Sequence, residues 1–187
     1  QAGRFVESEN VPDAWHRLLL RMGDGVLRTA LSSGINIISK QFVMAETLPE
    51  ALSWRQPGMR YSFDCLGEAA QTRDEAGHYL RSYQQALEYL ANHQDHRLDL
   101  LERDGISIKL SALHPRYELA RWAELEQELL PSLVRLLTFA AEAGIPVTLD
   151  AEESERLETG LALFAGLIGH PDIAGYEGLG VAVQAYQ

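Results

Sequence analysis

The stretch GISIKLSALHPRYE, residues 105–118, decides the fold. Side chains alternate across a β-strand, so Ile106, Ile108 and Leu110 share one face while Ser107, Lys109 and Ser111 share the other. One face is apolar and the other polar. The same parity recurs in three further strand candidates. It sets Tyr61 and Phe63 against Ser62 and Asp64 (residues 60–65), Val147 and Leu149 against Thr148 and Asp150 (145–150), and Val181 and Val183 against Ala182 and Gln184 (180–186).

Amphipathic helices are predicted between these strands. The first opens at a Thr72–Glu75 capping box and carries Tyr79, Leu80, Tyr83, Leu87 and Leu90 on one face. The second runs through Leu125, Leu129, Leu133, Leu136 and Ala140 to a stop at Gly144, and the third uses Leu157, Leu161, Phe164 and Ile168. Strands joined by helices of this length form parallel βαβ units, which makes the class α/β. Upstream, apolar spacing predicts helix over residues 11–42, broken near Gly34, and a short helix opened by Thr47 and Glu50.

A doubly wound nucleotide-binding sheet would carry a glycine-rich turn directly after its first strand, and none stands there. Gly175, Gly178 and Gly180 precede a strand and read as a turn into it. In a (β/α)₈ TIM-like barrel the apolar strand faces meet the helices, and functional side chains stand at the strands' C-terminal ends, where Asp64, Lys109, Asp150 and Gln184 fall. An open sheet stays as the alternative. Four strands are in view where closure needs eight, so either half of the barrel is absent from this chain or the architecture is something smaller; the strand-bearing part spans residues 59–187 behind a helical lead-in over 1–58.

Composition bounds the rest. The 187 residues favour one domain, and 46% hydrophobic with 23% charged content is that of a folded globular chain. Sixteen basic against 27 acidic residues give 16 − 27 = −11, which disfavours nucleic acid or an anionic membrane as an electrostatic partner of this segment. The single cysteine, Cys65, rules out an internal disulfide and fits a reducing, cytoplasmic compartment. It reads as a buried thiol. The first residue is Gln rather than Met, which suggests an artificial boundary, a processed chain or a piece of something longer.

Several residues could carry chemistry. Lys109 points inward, where an unpaired ammonium is costly, so it needs an anion: a ligand carboxylate or phosphate, or Asp64 or Asp150 on neighbouring strands. Asp150 reads as an active-site carboxylate or as a helix N-cap, with Glu152, Glu153 and Glu155 in the first turn that follows. Gln184 offers one acceptor and two donors, suited to the edge of a flat heterocycle or to an interior amide bond. Glu68 follows the first strand and either reaches over a barrel mouth or sits solvated at a helix start. His114 reads as a loop-capping group, and His93 and His96 have no third metal ligand in view.

The segments RYSFDCLGEAA, GISIKLSALHPRYE, VTLDAEESERLE and GVAVQAYQ resemble, in order and spacing, the first four strand regions of the proline dehydrogenase domain of the bifunctional proline utilization A flavoenzymes. KQFVMAET is similar to the stretch just upstream of that barrel. The resemblance implies noncovalent FAD, oxidation of L-proline to pyrroline-5-carboxylate by hydride transfer to the flavin, and electrons passed on to a membrane quinone. It also implies a fused pyrroline-5-carboxylate (glutamate semialdehyde) dehydrogenase and a cytoplasmic location at the inner membrane face. Carried over by motif, Lys109 binds the substrate carboxylate, Asp150 is catalytic, Ala151, Val183 and Gln184 contact the flavin, and Glu68 is a gate that pairs with a substrate-binding arginine. The strand-five arginine and the paired arginines of that family lie beyond the motifs present, so the 187-residue piece alone is expected to be inactive. Two other readings stand beside it: a carboxylate-dependent barrel hydrolase using Asp64, Asp150 and Glu152, and an inactive structural module.

Overall fold

The structure, a computed structural model, describes residues 43–185. The helices expected over residues 11–42, and the end of the last predicted strand at Tyr186, lie outside the described residues. The chain divides into two compact units, residues 1–51 and 52–187. Helix α1, Leu48–Ser53, starts as its sequence predicts: Thr47 Oγ1 accepts from the Glu50 amide at 3.4 Å. The Glu50 carboxylate accepts from the Glu46 amide, one residue ahead of the usual capping-box partner.

Four strands, β1 (Ser62–Asp64), β2 (Gly105–Ile108), β3 (Val147–Leu149) and β4 (Leu179–Val181), form one parallel sheet in the order β1-β2-β3-β4. An order that never reverses has no switch point of the doubly wound kind and is that of a barrel wall. Three helices make the crossovers: α2 (Arg73–Ala91), α3 (Leu130–Ala143) and α4 (Leu157–Ile168). α2 packs on β2 and α3, and α3 packs on α4, so the helices form one continuous layer. The architecture is α/β, with the arrangement of a partial (β/α)₈ barrel.

The register lines up the predicted faces. Phe63, Ile106, Val147 and Leu179 stand level on the helix side, and Asp64, Ser107, Thr148 and Gly180 stand level on the other. Ile106, Ile108, Val147 and Leu149 are fully buried, as are the helix residues Tyr83, Leu87, Leu133 and Leu137. Gly105 sits at the tightest point of the sheet, where an added Cβ would come within 2.4 Å of the Pro146 carbonyl oxygen.

The strands are shorter than their patterns suggest. β2 gives way at Lys109 to a 3₁₀ turn, Leu110–Ala112, so Leu110 and Ser111 do not continue the strand alternation and both are buried. The ladder itself runs on for one more bond on each of two strands, Asp150 N–H to Ile108 O and Ala182 N–H to Leu149 O, both 2.9 Å.

α2 is capped by Thr72 Oγ1, which accepts from the Glu75 amide at 3.2 Å, and it buries Ala76, Tyr83, Ala86, Leu87 and Leu90. Tyr79 and Leu80 are half-buried. A π-helical turn, Leu125–Leu129, runs without a break into α3, with Pro131 just beyond the turn. α3 ends at Gly144 in the left-handed region, φ +65°, as predicted. α4 departs from expectation. Its buried stripe is Thr159, Leu163 and Leu167, whereas Leu157, Leu161 and Ile168 are exposed and Phe164 is half-buried. Both stripes are largely apolar, so helical spacing could not tell which of them meets α3.

Candidate functional site

The polar strand faces converge at the C-terminal ends. Lys109, directly after β2, extends its ammonium to Asp64 Oδ2 at 2.5 Å and to Asp150 Oδ2 at 3.1 Å. Asp64 ends β1 and Asp150 follows β3, so the cation bridges three adjacent strands. The Lys109 side chain is 18% exposed. Burial works against its charge, but the hydrogen bonds and fields of Asp64 and Asp150 outweigh that, and the ammonium titrates above its ordinary value. It therefore stays charged at neutral pH and cannot serve as a base there. Of the two anions open to Lys109 in the sequence, the structure gives it the neighbouring aspartates, both of them.

Lys109 is also held from behind. Its amide donates to the Tyr83 hydroxyl at 3.1 Å, and Tyr83 is buried in α2. Burial drives the Tyr83 hydroxyl well above its ordinary pKa. In the sequence Tyr83 was legible only as a core residue at helical spacing.

Beside the lysine lies an open cavity of about 290 Å³, lined by Glu68, Lys109, Ala151 and Gln184 together with Glu152, Glu153 and Ser154. Four of the six residues singled out in the sequence thus share one space, and Asp150 joins them through Lys109. Val183 does not line it and is 60% exposed. A slightly larger cavity, about 320 Å³, lies at the opposite, N-terminal ends of the strands. There Asp104 accepts from Arg55 Nη1 at 2.6 Å and from the Tyr61 amide at 2.8 Å. Those charges are spent on each other, and that end of a barrel serves stability.

Two expectations for the segment after β3 are corrected. Asp150 is not an N-cap: a loop and a 3₁₀ turn, Ser154–Arg156, intervene before α4 begins at Leu157. Glu153 and Glu155 accordingly do not occupy the first turn of α4. Glu152 does not either; within that loop it turns inward. Its side chain is 8% exposed, with Oε1 accepting from the Ser111 amide at 3.0 Å and Oε2 from Arg156 Nη1 at 2.9 Å. Arg156 lies over the Tyr117 ring, 5.9 Å from its centroid, and its Nε is 3.2 Å from Glu153 Oε2. The four-residue spacing of Glu152 and Arg156 was the available signal for this clasp.

His114 behaves as a loop cap. It is buried, Nδ1 accepts from the Arg116 amide at 3.2 Å, and Nε2 lies 3.4 Å from Glu128 Oε2. Glu128 is paired with Arg73, tying the π-helical turn to the start of α2. Cys65 is half-buried, and burial, with help from Asp64, raises its thiol pKa. That thiol therefore holds its proton at neutral pH.

Parallel strands in sequential order, with charged groups gathered at their C-terminal ends, are the arrangement of part of an α/β barrel wall, the end at which such barrels carry their functional side chains. The family is found by comparison: residues 47–187 match the model of the proline dehydrogenase family, and the chain belongs to that family. It is 39% identical over 192 residues to the bifunctional protein PutA of Escherichia coli, covering 99% of this chain and 14% of that protein. Proline dehydrogenase 1 of Bacillus subtilis subsp. natto is 25% identical over 174 residues, 90% of this chain and 51% of that one. Among solved structures, proline utilization A from Bdellovibrio bacteriovorus inactivated by N-propargylglycine aligns with a TM-score of 0.76 at 27% identity, over 89% of this chain and 20% of that chain. A Bradyrhizobium japonicum proline utilization A mutant aligns at 0.70 with 40% identity, over 91% and 18%. The chain thus spans about one seventh of the length of PutA.

Proposed function

We propose that this chain forms the first part of the active-site wall of a flavin-dependent proline dehydrogenase, within a longer polypeptide that oxidises L-proline to pyrroline-5-carboxylate. The observation that carries the reading is the Lys109 ammonium between Asp64 and Asp150, at the edge of a cavity shared with Ala151 and Gln184, in a member of the proline dehydrogenase family. The bifunctional character of its PutA relatives supports a fused pyrroline-5-carboxylate dehydrogenase. A membrane quinone as electron acceptor and a cytoplasmic location at the inner membrane face belong to the same proposal.

The residues present fit a flavin. Gln184 brings an amide with one acceptor and two donors to the cavity, matching the edge of a flat heterocycle, and Ala151 adds only a methyl group there. A flavin held there by Ala151 and Gln184 would supply the two-electron oxidation that turns the carbon–nitrogen single bond of proline into the C=N bond of the product. The chain's own groups position the substrate for that step. Lys109 faces the carboxylate and Asp150 fixes the ammonium that does so. Because two aspartates already match the Lys109 charge, one more carboxylate needs further cations from elsewhere in the polypeptide. Glu68, on the cavity wall, would pair with one of them.

The test is made on the whole purified polypeptide. It should bind FAD and turn yellow, lose that colour on anaerobic addition of L-proline, and regain it with a soluble quinone. A protein that takes up no flavin, or whose bound flavin ignores L-proline, would sink the reading.

A further inference from the structure

Ser111 lies two residues beyond Lys109, and its position is unusual in what it joins. It is 1% exposed and uses all three of its polar groups on other loops. Its hydroxyl oxygen accepts from the Ala69 amide at 3.0 Å, its carbonyl accepts from the Ala70 amide at 3.0 Å, and its own amide donates to Glu152 Oε1 at 3.0 Å. One residue after β2 thereby holds both the β1–α2 loop and the β3–α4 loop. Those loops carry Glu68 and Ala151, the residues that face Lys109 across the cavity.

The backbone around Glu68 needs such a tie. Ala69 has φ +49°, a left-handed conformation unfavourable for a non-glycine residue, and Gly67 has φ +142°. At Gly67 an added Cβ would come within 2.2 Å of the Tyr79 ring, so the turn is pressed against α2 on one side and bonded to Ser111 on the other. Left unbonded, the Ala69 amide would favour relaxation of that φ, and Glu68 would move with it. Strain of this kind persists where surrounding contacts over-determine it.

We propose that Ser111 is a positioning residue: through its hydroxyl it fixes the Gly67–Ala69 turn, and so the distance at which Glu68 stands from Lys109. The proposal rests on the proline dehydrogenase reading for its kinetic arm only. Ser111→Ala removes one acceptor, leaves both backbone bonds of residue 111 in place and creates no clash, so the whole polypeptide should fold. Amide exchange of the peptide covering residues 67–71 should quicken about fivefold, the worth of one hydrogen bond, with β2 and β3 unchanged. KM for L-proline should rise by a similar factor, about fivefold, with kcat little changed. In a Glu68→Ala background the same substitution should leave KM where Glu68→Ala alone put it, because the serine acts through the glutamate. Glu152→Gln, which keeps an oxygen for the Ser111 amide, should leave exchange at 67–71 unaltered.

Unchanged exchange at 67–71 would overturn the proposal. So would an effect on KM that adds in full to that of Glu68→Ala, or faster exchange spread evenly over the sheet, which marks a merely structural serine. If wild-type protein fails to oxidise proline, the functional reading falls, and the exchange arm still decides whether Ser111 holds the turn.

Discussion

Lys109 is where stability and function compete at a single side chain. One charge-assisted contact to a substrate carboxylate is worth roughly 1.5–3 kcal/mol, so Lys109→Met should raise KM for L-proline by roughly ten- to a hundredfold. The same change leaves Asp64 and Asp150 facing one another without their shared cation, and like charges held that close repel. Steady-state kinetics and thermal unfolding of one variant separate the two effects. A raised KM with a modest loss of Tm is the expected result, and a lower Tm with KM intact would make the lysine purely structural. Asp150→Asn is the companion: Lys109 keeps Asp64, so stability should hold better than in Lys109→Met while turnover falls.

At the scale of an element, α3 ends where Gly144 takes φ +65°, and the Arg103 guanidinium packs over that glycine, donating to its carbonyl at 3.1 Å. A Cβ at residue 144 would come within 2.2 Å of Arg103 Nη1. Gly175 has a similar φ of +83° but open space around it. Gly175→Ala should therefore cost only the backbone penalty, about 1 kcal/mol, and Gly144→Ala that plus a displaced arginine, about 2 kcal/mol or more. Urea midpoints of the two variants give the order, and equal shifts would mean that the arginine swings aside freely. Both glycines were legible from the sequence as a helix stop and a turn, because punctuation of this kind depends on one residue type and its neighbours. α4 was not legible in the same way. Which of its two apolar stripes is buried depends on α3, a partner that no local pattern encodes. The site divides along the same line. Strand parity brought Lys109, Asp64 and Asp150 together, since alternation is local, while Ser111 and Glu152 act through loops whose meeting is set by tertiary packing.

For the whole molecule, the charged groups define a window of pH in which the fold is secure. Asp95, beside Arg97, is held down to about 2, and Arg73 likewise draws Glu128 below its usual range. A depressed carboxyl contributes stability above its unfolded pKa and loses it as pH falls through the folded one. Both pairs lie at the surface, where solvent screens them, so little is at stake on the acid side. The alkaline side differs. Tyr83, Tyr117 and Tyr176 are raised well above their ordinary value, chiefly by burial, and Tyr176 also donates to the Ile145 carbonyl, outside the sheet. A raised pKa means that the native state keeps a proton the unfolded chain releases near pH ~10, so stability is full below that point and falls as pH climbs past it. Each tyrosine adds up to about 1.4 kcal/mol per pH unit to that slope, and Lys109 adds to it slightly later, from about 10.4. The chain should thus hold a level unfolding midpoint from neutrality to about pH 8.5, ease down as the raised Cys65 thiol begins to ionise in the unfolded chain, and lose stability steeply past about pH 10. Tyr117→Phe, which touches neither the sheet nor the Lys109 amide, should flatten the fall by about one tyrosine's share without moving its onset. Urea unfolding followed by far-UV circular dichroism across that range measures both slopes. A wild-type midpoint that stays level well past the ordinary tyrosine pKa would show that the phenols ionise in the folded state, and that burial does not hold their protons.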